Sequence, residues 1–424
     1  MRPAKLVALV QTRYDRDVTQ TIATQGAMLV AALATSIITA RFLGPEGRGA
    51  FFFVTTTATL IAQFGNFGLT STNTFIVAKR HELLLPLTAN ALWLSLAIGV
   101  SAAVLMAAFG DRFTVGPSLL LFAAAIGGGR LFHLLSVNLL AGVQRFRSFN
   151  FFQLLSSVLL VAGVSVGAIQ ASVTSFLWGN LAAKLVTGLL VLRHIGGLSV
   201  ARLRPKFELY RRHLHFSIKS YLILFFGFLM MRGNVFLMES LSSRAELGYY
   251  SVAVQIAEAM GLIATSMALV LYPRLVSRER GRFRYMFGYL IVIGLTMSIL
   301  CVAAGLVAKP TIQLAFGAEF SPAVAPTLRL LPGVLFVGMH SIVAQYLAAE
   351  GQPAAVVGSW LLAVGVMAGI GISLIPATGA AGAALSLSIG YLFVLVANLT
   401  VAAVVAYRRQ AGGPPPEAAG AEAR

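Results

Sequence analysis

Long apolar runs separated by short polar segments dominate the chain. A run must hold about 20 mostly apolar residues to cross the hydrocarbon core of a bilayer. Twelve runs meet that length, at residues 21–40, 50–77, 85–109, 115–140, 151–168, 173–192, 216–238, 248–272, 286–307, 323–349, 354–375 and 382–407. The pattern predicts an all-α integral membrane protein with about 12 transmembrane helices.

Composition excludes a soluble enzyme. Hydrophobic residues make up 58% of the 424 residues and charged residues only 11%, whereas soluble domains carry about 25% charged residues. The 32 Lys and Arg residues exceed the 14 Asp and Glu residues and give a net charge of +18. In a membrane protein such an excess collects in cytoplasmic loops, so no nucleic-acid partner is expected.

Lys and Arg alternate from one side of the predicted membrane to the other. One set of loops and both terminal segments carry 22 of them, the opposite loops carry 5, and the remaining 5 lie within spans. Because basic residues mark the cytoplasmic side, both termini are predicted to be cytoplasmic.

The order of spans divides the chain into five segments. These are a cytoplasmic N-terminal tail (1–20), an N-lobe with spans 1–6 (21–192), a basic cytoplasmic connector (193–215), a C-lobe with spans 7–12 (216–407) and a disordered cytoplasmic tail (408–424).

The two lobes resemble each other in the order of their spans. Aligning Gly49 with Gly248, an offset of 199, superimposes the second span on the eighth and the third on the ninth. Two lobes related by a parallel pseudo-repeat suit alternating access, in which rigid helix bundles rock about a central site. A duplication that serves folding alone is the alternative.

Polar residues form a stripe on the second span and a partial repeat of it on the eighth. Spacings of three and four place them on one helix face. The predicted cavity lining is Thr59, Gln63, Asn66, Thr70 and Asn73, with Gln255, Glu258 and Thr265 on the eighth span. Hydrogen bonding between packed helices uses the same residue types and remains the alternative.

Five cations fall within predicted spans: Arg130, Lys184, Lys219, Arg232 and Arg329. Each costs about 2.5–3.5 kcal/mol at mid-membrane and is expected to face a cavity or a partner. Only one carboxylate, Glu258, lies well within a span, so cationic charge is in excess. The missing anion is interpreted as the substrate, because Arg and Lys both bind phosphate oxygens.

Several short motifs recur in the order found in a known transporter group. They are ARFLGPEGRG at 40–49, GLT at 68–70, MRGNVFL at 231–237, ELGYYSVA at 246–253, FGAEF at 316–320 and GAAGAA at 379–384. As a set they resemble bacterial polysaccharide flippases of the multidrug/oligosaccharidyl-lipid/polysaccharide exporter superfamily. Arg41 and Arg48 match motif positions, where contact with outer-leaflet headgroups is the simpler role. Asn234 stands where members of the family often have an acidic residue.

The resemblance implies a flippase that carries an undecaprenyl-diphosphate-linked oligosaccharide across the bacterial cytoplasmic (inner) membrane for surface polysaccharide synthesis. It also implies two six-helix lobes around a cationic central cavity. No enzymatic activity, cofactor or metal is expected, because the histidines have no metal-ligand spacing with Cys or carboxylates and no Walker A pattern is present. The expected partners are the lipid-linked oligosaccharide, membrane lipids and the glycan polymerase or glycosyltransferases of the same pathway.

Two other functions remain open. A multidrug or cation antiporter shares the superfamily fold, but it would favour intramembrane carboxylates over cations. A membrane glycosyltransferase or glycan polymerase would need large extramembrane loops, which the pattern lacks. The pair Asp15 and Asp17 has the spacing of a sugar-nucleotide metal motif, yet it lies in a short charged tail.

Overall fold

The computed structural model describes residues 3–196, 205–206, 208, 214–278, 281–351 and 353–410, with the backbone alone described for a few stretches such as 3–18 and 214–220. Within these residues lie twelve α-helices and no β-strand. The helices are α1 (Pro3–Asn66), α2 (Leu69–Lys79), α3 (Leu84–Phe109), α4 (Pro117–Gly142), α5 (Phe146–Gly167), α6 (Val173–Ile195), α7 (Leu214–Leu241), α8 (Arg244–Val276), α9 (Arg282–Phe316), α10 (Val324–Ala349), α11 (Ala355–Thr378) and α12 (Ala380–Gln410).

The helices confirm a multi-pass, all-α membrane protein. Among the described residues, eleven helical stretches are long and apolar enough to cross a bilayer, and the first of them, Thr19–Asn66, has 48 residues. At 1.5 Å per residue that stretch measures roughly 70 Å, more than twice the hydrocarbon core of about 30 Å. It therefore contains the first predicted span and residues 50–66 of the second.

Gly44 divides this long helix. Its backbone angles, φ 63° and ψ −176°, are non-helical and lie in a region that residues with a Cβ avoid. Pro45 follows, and its fixed φ suits the first turn of a helix. The predicted connection between the first two spans is consequently helical apart from Gly44, because a single glycine suffices to separate the two helices.

The second predicted span, 50–77, is also not one helix. Phe67 and Gly68 both have positive φ values, 43° and 76°, and they separate the end of α1 from α2. The side-chain oxygen of Asn66 accepts hydrogen bonds from the Thr70 backbone N–H (3.1 Å) and hydroxyl (2.7 Å). Asn66 thus satisfies a free N–H in the first turn of α2, as a capping residue does.

The chain forms two compact units. The first unit comprises Met1–Leu43 and Val54–Tyr221, and the second comprises Gly44–Phe53 and Leu222–Arg424. The division after Tyr221 lies close to the predicted connector. Segment 44–53, which the sequence placed in the N-lobe, instead packs with the C-terminal helices.

Two glycines explain why segment 44–53 belongs to the second unit. A Cβ built on Gly49 would overlap the carbonyl oxygen of Arg244, and a Cβ built on Gly248 would overlap that of Pro45. The contact is reciprocal, because the offset of 199 that aligns Gly49 with Gly248 also aligns Pro45 with Arg244. Such an arrangement is consistent with a pseudo-repeat whose equivalent helix starts touch each other.

This close approach gives a stability prediction. Gly49→Ala or Gly248→Ala is expected to lower the free energy of unfolding by about 3 kcal/mol, because rigid backbone must move to admit the methyl group. Thermal unfolding of the purified variants measures the effect. The control is Gly358→Ala in α11, where a Cβ meets nothing within 4 Å. Equal melting temperatures for Gly49→Ala and the control would contradict the prediction.

In the first unit, a shared apolar core fixes the order of the helices. Leu69, Ile76 and Val77 of α2 pack with Leu87 of α3 and with α4 residues Leu131, Leu135 and Leu139. Helices α5 and α6 approach closely where Gly163 faces Gly179. The connector is anchored at Lys206, whose backbone N–H and carbonyl both hydrogen-bond to the Asn90 side chain of α3, at 2.5 and 2.9 Å.

In the second unit, buried polar groups join the last helices. The Asn398 amide of α12 donates to His340 Nε2 of α10 (3.1 Å) and accepts from the Ser359 hydroxyl of α11 (2.9 Å). Glu350, at the end of α10, binds Arg409 of α12 at 2.6 Å and Arg282 of α9 at 3.3 Å. These polar groups are satisfied within the protein, as buried groups in a membrane must be.

Candidate functional site

The five predicted intramembrane cations are distributed over both units. Arg130 and Lys184 occupy the midpoints of α4 and α6 in the first unit. In the second unit, Arg232 is partly buried in α7, and Arg329 is exposed near the start of α10. Lys219 lies in α7, but its side chain falls outside the described residues.

A mid-membrane basic cluster, defined by Arg130, His133, Gln153, Ser156 and Lys184, joins α4, α5 and α6. Lys184 Nζ donates a hydrogen bond of 2.8 Å to the Ser156 hydroxyl, which lies at the middle of α5. The His133 ring Nε2 lies 3.4 Å from the Gln153 side-chain oxygen. The neutral side chains of Ser156 and Gln153 therefore hold Lys184 and His133 in position.

Positive charge is concentrated in this cluster. Arg130 and Lys184 are close enough to repel each other electrostatically, and both act on His133. In the part of the chain that the structure describes, no carboxylate pairs with Lys184. A cation at mid-membrane without a counter-charge favours the binding of an anion.

A cavity of about 610 Å³ adjoins the cluster and is walled by α3, α4 and α6. Ser95 and Lys184 are the two polar side chains in a lining that is otherwise apolar or glycine, including Leu96, Phe132 and Leu185. The Ser95 hydroxyl is buried and has no hydrogen-bond partner among the described residues. An apolar cavity with one cation and one unsatisfied hydroxyl suits an amphiphilic ligand.

In the second unit, Arg232 of α7 forms an ion pair with Glu258 of α8. Its guanidinium also lies over the Phe52 ring, 5.4 Å from the ring centroid. The Arg232 nitrogen Nη1 is buried without a hydrogen-bond partner among the described residues. The charge pair is close enough to interact electrostatically with Tyr250 and Tyr391. Arg232 is therefore neutralised yet retains one unused donor.

Asn234 has a structural position. Its side-chain amide donates to the Ala383 carbonyl at 2.7 Å and to the Ser386 hydroxyl at 3.0 Å, both on α12. These bonds join α7 to α12 and leave the residue fully buried. An amide serves here because it donates two hydrogen bonds, which a carboxylate does not.

The predicted polar stripes have varied environments. Asn66 and Thr70 hold the break between α1 and α2, and Asn73 is fully buried. Thr59 donates to the Thr55 carbonyl one turn earlier. Thr265 is exposed and bonds to the backbone of its own helix, while the other stripe residues, Gln63, Gln255 and Glu258, are half-buried.

The two motif arginines differ in environment. Arg41 is exposed. Arg48 is 4% exposed, and its Nε donates a hydrogen bond of 3.0 Å to the Ser251 hydroxyl of α8. Arg48 therefore stabilises the packing of segment 44–53 in the second unit.

Sequence reasoning missed Ser95, Gln153, Ser156 and Phe52. Gln153 and Ser156 are three residues apart in a mostly apolar span, which places both on one helix face. That spacing was the available signal. Ser95 and Phe52 carried none, because their significance depends on a cavity and on a cation from other helices. Among the described residues, no group of three or more His, Cys, Asp or Glu side chains is placed to hold a metal ion.

Comparisons with known proteins identify both a family and a fold. A family model described as "Polysaccharide biosynthesis protein" matches residues 38–325, while no curated protein sequence matches the chain. The lipid II flippase MurJ in an inward closed conformation is similar in structure, with a TM-score of 0.74 and 16% identity over 91% of this chain and 87% of that chain.

Two further solved structures share the fold. An inward-facing multidrug resistance MATE family transporter of the MOP superfamily has a TM-score of 0.67 and 16% identity, over 89% of this chain and 94% of that chain. A MOP superfamily transporter from Pyrococcus furiosus has a TM-score of 0.54 and 15% identity, over 92% and 94%. At these identities the likeness concerns the fold alone.

Proposed function

The chain belongs to the polysaccharide biosynthesis protein family, and from that membership we propose that it flips an undecaprenyl-diphosphate-linked oligosaccharide by alternating access. The membrane is the bacterial cytoplasmic membrane, the termini are cytoplasmic, and the glycan is delivered for surface polysaccharide assembly. Its fold is that of flippases and transporters of the MOP superfamily. The name of the lipid II flippase MurJ supports a lipid-linked cargo.

The observation that carries this proposal is the environment of Lys184. Its ammonium lies at mid-membrane and is held by the Ser156 hydroxyl, without a carboxylate among the described residues. A transporter of organic cations would disfavour such a group, whereas a diphosphate moving between leaflets needs a positive charge at this depth. Lys184 and Arg130 therefore bind the diphosphate in our proposal.

The adjoining cavity provides for the lipid part of the substrate. Its apolar walls, formed by α3, α4 and α6, contact the first prenyl units next to the diphosphate. The Ser95 hydroxyl lies in the same cavity and has no hydrogen-bond partner among the described residues, so in our proposal it donates to a phosphate oxygen. The glycan contacts polar side chains and water.

Arg232 serves as a second diphosphate-binding residue. Glu258 occupies its guanidinium in the substrate-free state, and the unused Nη1 donor offers the first contact to a phosphate oxygen. Since a guanidinium binds phosphate and carboxylate in the same forked geometry, the diphosphate replaces Glu258. Its departure restores the ion pair.

The leaflet distribution of the diphosphate-linked glycan precursor tests the proposal. In cells that lack the protein, precursors are expected to accumulate on the cytoplasmic leaflet, where an impermeant glycan-binding probe added from outside does not reach them. An unchanged distribution together with greater sensitivity to cationic drugs would identify a drug exporter instead. Precursors that reach the outer leaflet but remain unpolymerised would identify a glycan polymerase.

A further inference from the structure

A second cavity, with basic and aromatic walls, lies where α8 ends and α9 begins. Its volume is about 460 Å³, and it is lined by Arg278, Arg284, Tyr285 and Tyr289, with Gly281, Gly288 and Val292. Both arginines are exposed. Charge alternation along the chain places this end of the helices on the cytoplasmic side. Nothing in the proposed transport of the glycan uses these residues.

Aromatic side chains hold Arg274 and Arg278 in position. Arg274 Nη1 donates a hydrogen bond of 2.6 Å to the Tyr289 hydroxyl, which lies 3.3 Å from the Tyr285 hydroxyl. The Arg278 guanidinium lies over the Tyr285 ring, 3.9 Å from its centroid. No carboxylate is among the lining residues that the structure describes. As far as the described residues show, the cavity therefore presents cationic donors without an internal counter-charge.

The start of α9 is fixed to the rest of the second unit. Arg282 donates hydrogen bonds to the carbonyls of Val276 and Arg278 and forms an ion pair with Glu350. Arg282 thus has an internal structural role, which separates it from Arg278 and Arg284. Because Arg282 joins the end of α8, the start of α9 and Glu350, the position of these two helix ends does not depend on a ligand.

Below the basic wall the cavity becomes apolar. A Cβ built on Gly288 meets nothing within 4 Å, so the surface there is open beside Val292. The exposed apolar face of α9 continues in the same direction through Leu295, Ile299, Val302 and Leu306. The spacing of three and four residues keeps them on one helix face. This face forms a continuous apolar track that begins at the cavity.

We propose that the cavity binds an anionic phospholipid of the cytoplasmic leaflet. Its phosphate contacts Arg278 and Arg284, and one acyl chain lies along Gly288 and Val292. Guanidinium groups match phosphate oxygens in charge and geometry, and basic pockets beside transmembrane helices recognise anionic headgroups. Tyrosine is suited to this depth, because its ring contacts lipid while its hydroxyl meets the headgroup region.

Native mass spectrometry of the full-length protein in a neutral detergent tests the site, with phosphatidylglycerol as the probe and phosphatidylcholine as the neutral comparison. Arg278→Gln/Arg284→Gln is expected to weaken phosphatidylglycerol binding by about tenfold or more, because two charge-assisted contacts are lost. Arg278→Lys/Arg284→Lys is expected to retain part of the affinity, since the charge remains. The matched control, Arg193→Gln/Arg408→Gln, removes two exposed arginines at the ends of α6 and α12 and is expected to bind as the wild type does.

Several results would overturn the site. One is an equal loss of phosphatidylglycerol binding in the control pair, which would mean that net charge alone attracts the lipid. Another is wild-type affinity in Arg278→Gln/Arg284→Gln. If phosphatidylcholine bound as tightly as phosphatidylglycerol, the negative charge of the lipid would have no role in binding. Tenfold tighter binding of a polyprenyl diphosphate would make the cavity a substrate site. Melting temperatures of all variants confirm that they are folded, and no transport assay enters the test.

Discussion

Lys184→Gln is expected to slow flipping of a polyprenyl-diphosphate-linked oligosaccharide by about ten- to a hundredfold. The variant removes the mid-membrane charge that meets no carboxylate among the described residues, and one charge-assisted contact contributes about 1.5–3 kcal/mol. Membrane insertion should be unaffected, because glutamine is less costly than lysine in a bilayer. The rate is measured in vesicles containing purified protein, as the fraction of labelled lipid that becomes accessible to an impermeant reagent.

Two matched variants separate charge from packing at this position. Lys184→Arg keeps the cation and is expected to retain more activity than Lys184→Gln. Ser156→Ala removes only the hydroxyl that accepts from Lys184, so it should affect the rate much less than loss of the charge. If Lys184→Gln flipped the lipid at the wild-type rate, the mid-membrane basic cluster would have no part in binding the diphosphate.

The Arg232–Glu258 pair should show strong coupling in stability. Arg232→Gln leaves Glu258 without its counter-charge, and Glu258→Gln leaves Arg232 without its own, so each single variant is expected to be less stable. The double variant removes both charges and should recover about 1–3 kcal/mol of the summed losses. Thermal or denaturant unfolding of the four proteins in detergent completes the cycle.

The same four proteins distinguish stability from transport. The double variant is expected to be nearly as stable as the wild type and yet to flip slowly, because the guanidinium that receives the diphosphate is absent. Glu258→Gln keeps the guanidinium free and is expected to bind the diphosphate lipid more tightly than the wild type. If the stability losses of the two single variants added up in the double variant, the ion pair would not form in the folded protein. Normal flipping by the double variant would remove Arg232 from the mechanism.

The helices were predictable because the bilayer imposes a length and composition rule on each span separately. Eleven apolar helical stretches, the first of them divided at Gly44, accommodate the twelve predicted spans. Boundaries were less predictable. The second span is broken at Phe67 and Gly68, where the backbone has positive φ values. Hydropathy does not predict this break, because both residues are compatible with an apolar run.

The partners of the polar residues were less predictable than the residues themselves. The sequence singled out Arg232 and Glu258 as intramembrane charges but left their pairing open, and it gave no reason to connect Arg48 with Ser251, 203 residues away. Asn66 and Thr70 were predicted to line a cavity, and the structure adds that the hydrogen bonds between them hold the break between α1 and α2. The sequence alone does not distinguish a polar side chain that faces lipid from one that lies at a helix interface or caps a helix.

By itself, the sequence determined the membrane class, the number of spans and the excess of positive charge within them. These follow from sums over neighbouring residues, since insertion energy depends on the local composition of a segment. Only the tertiary structure decided that Lys184 meets a serine, that Arg232 meets Glu258, and that segment 44–53 joins the second unit. The physical reason is that the energy of a charge in a low-dielectric interior depends on the few atoms within hydrogen-bond distance, and helix packing selects those atoms.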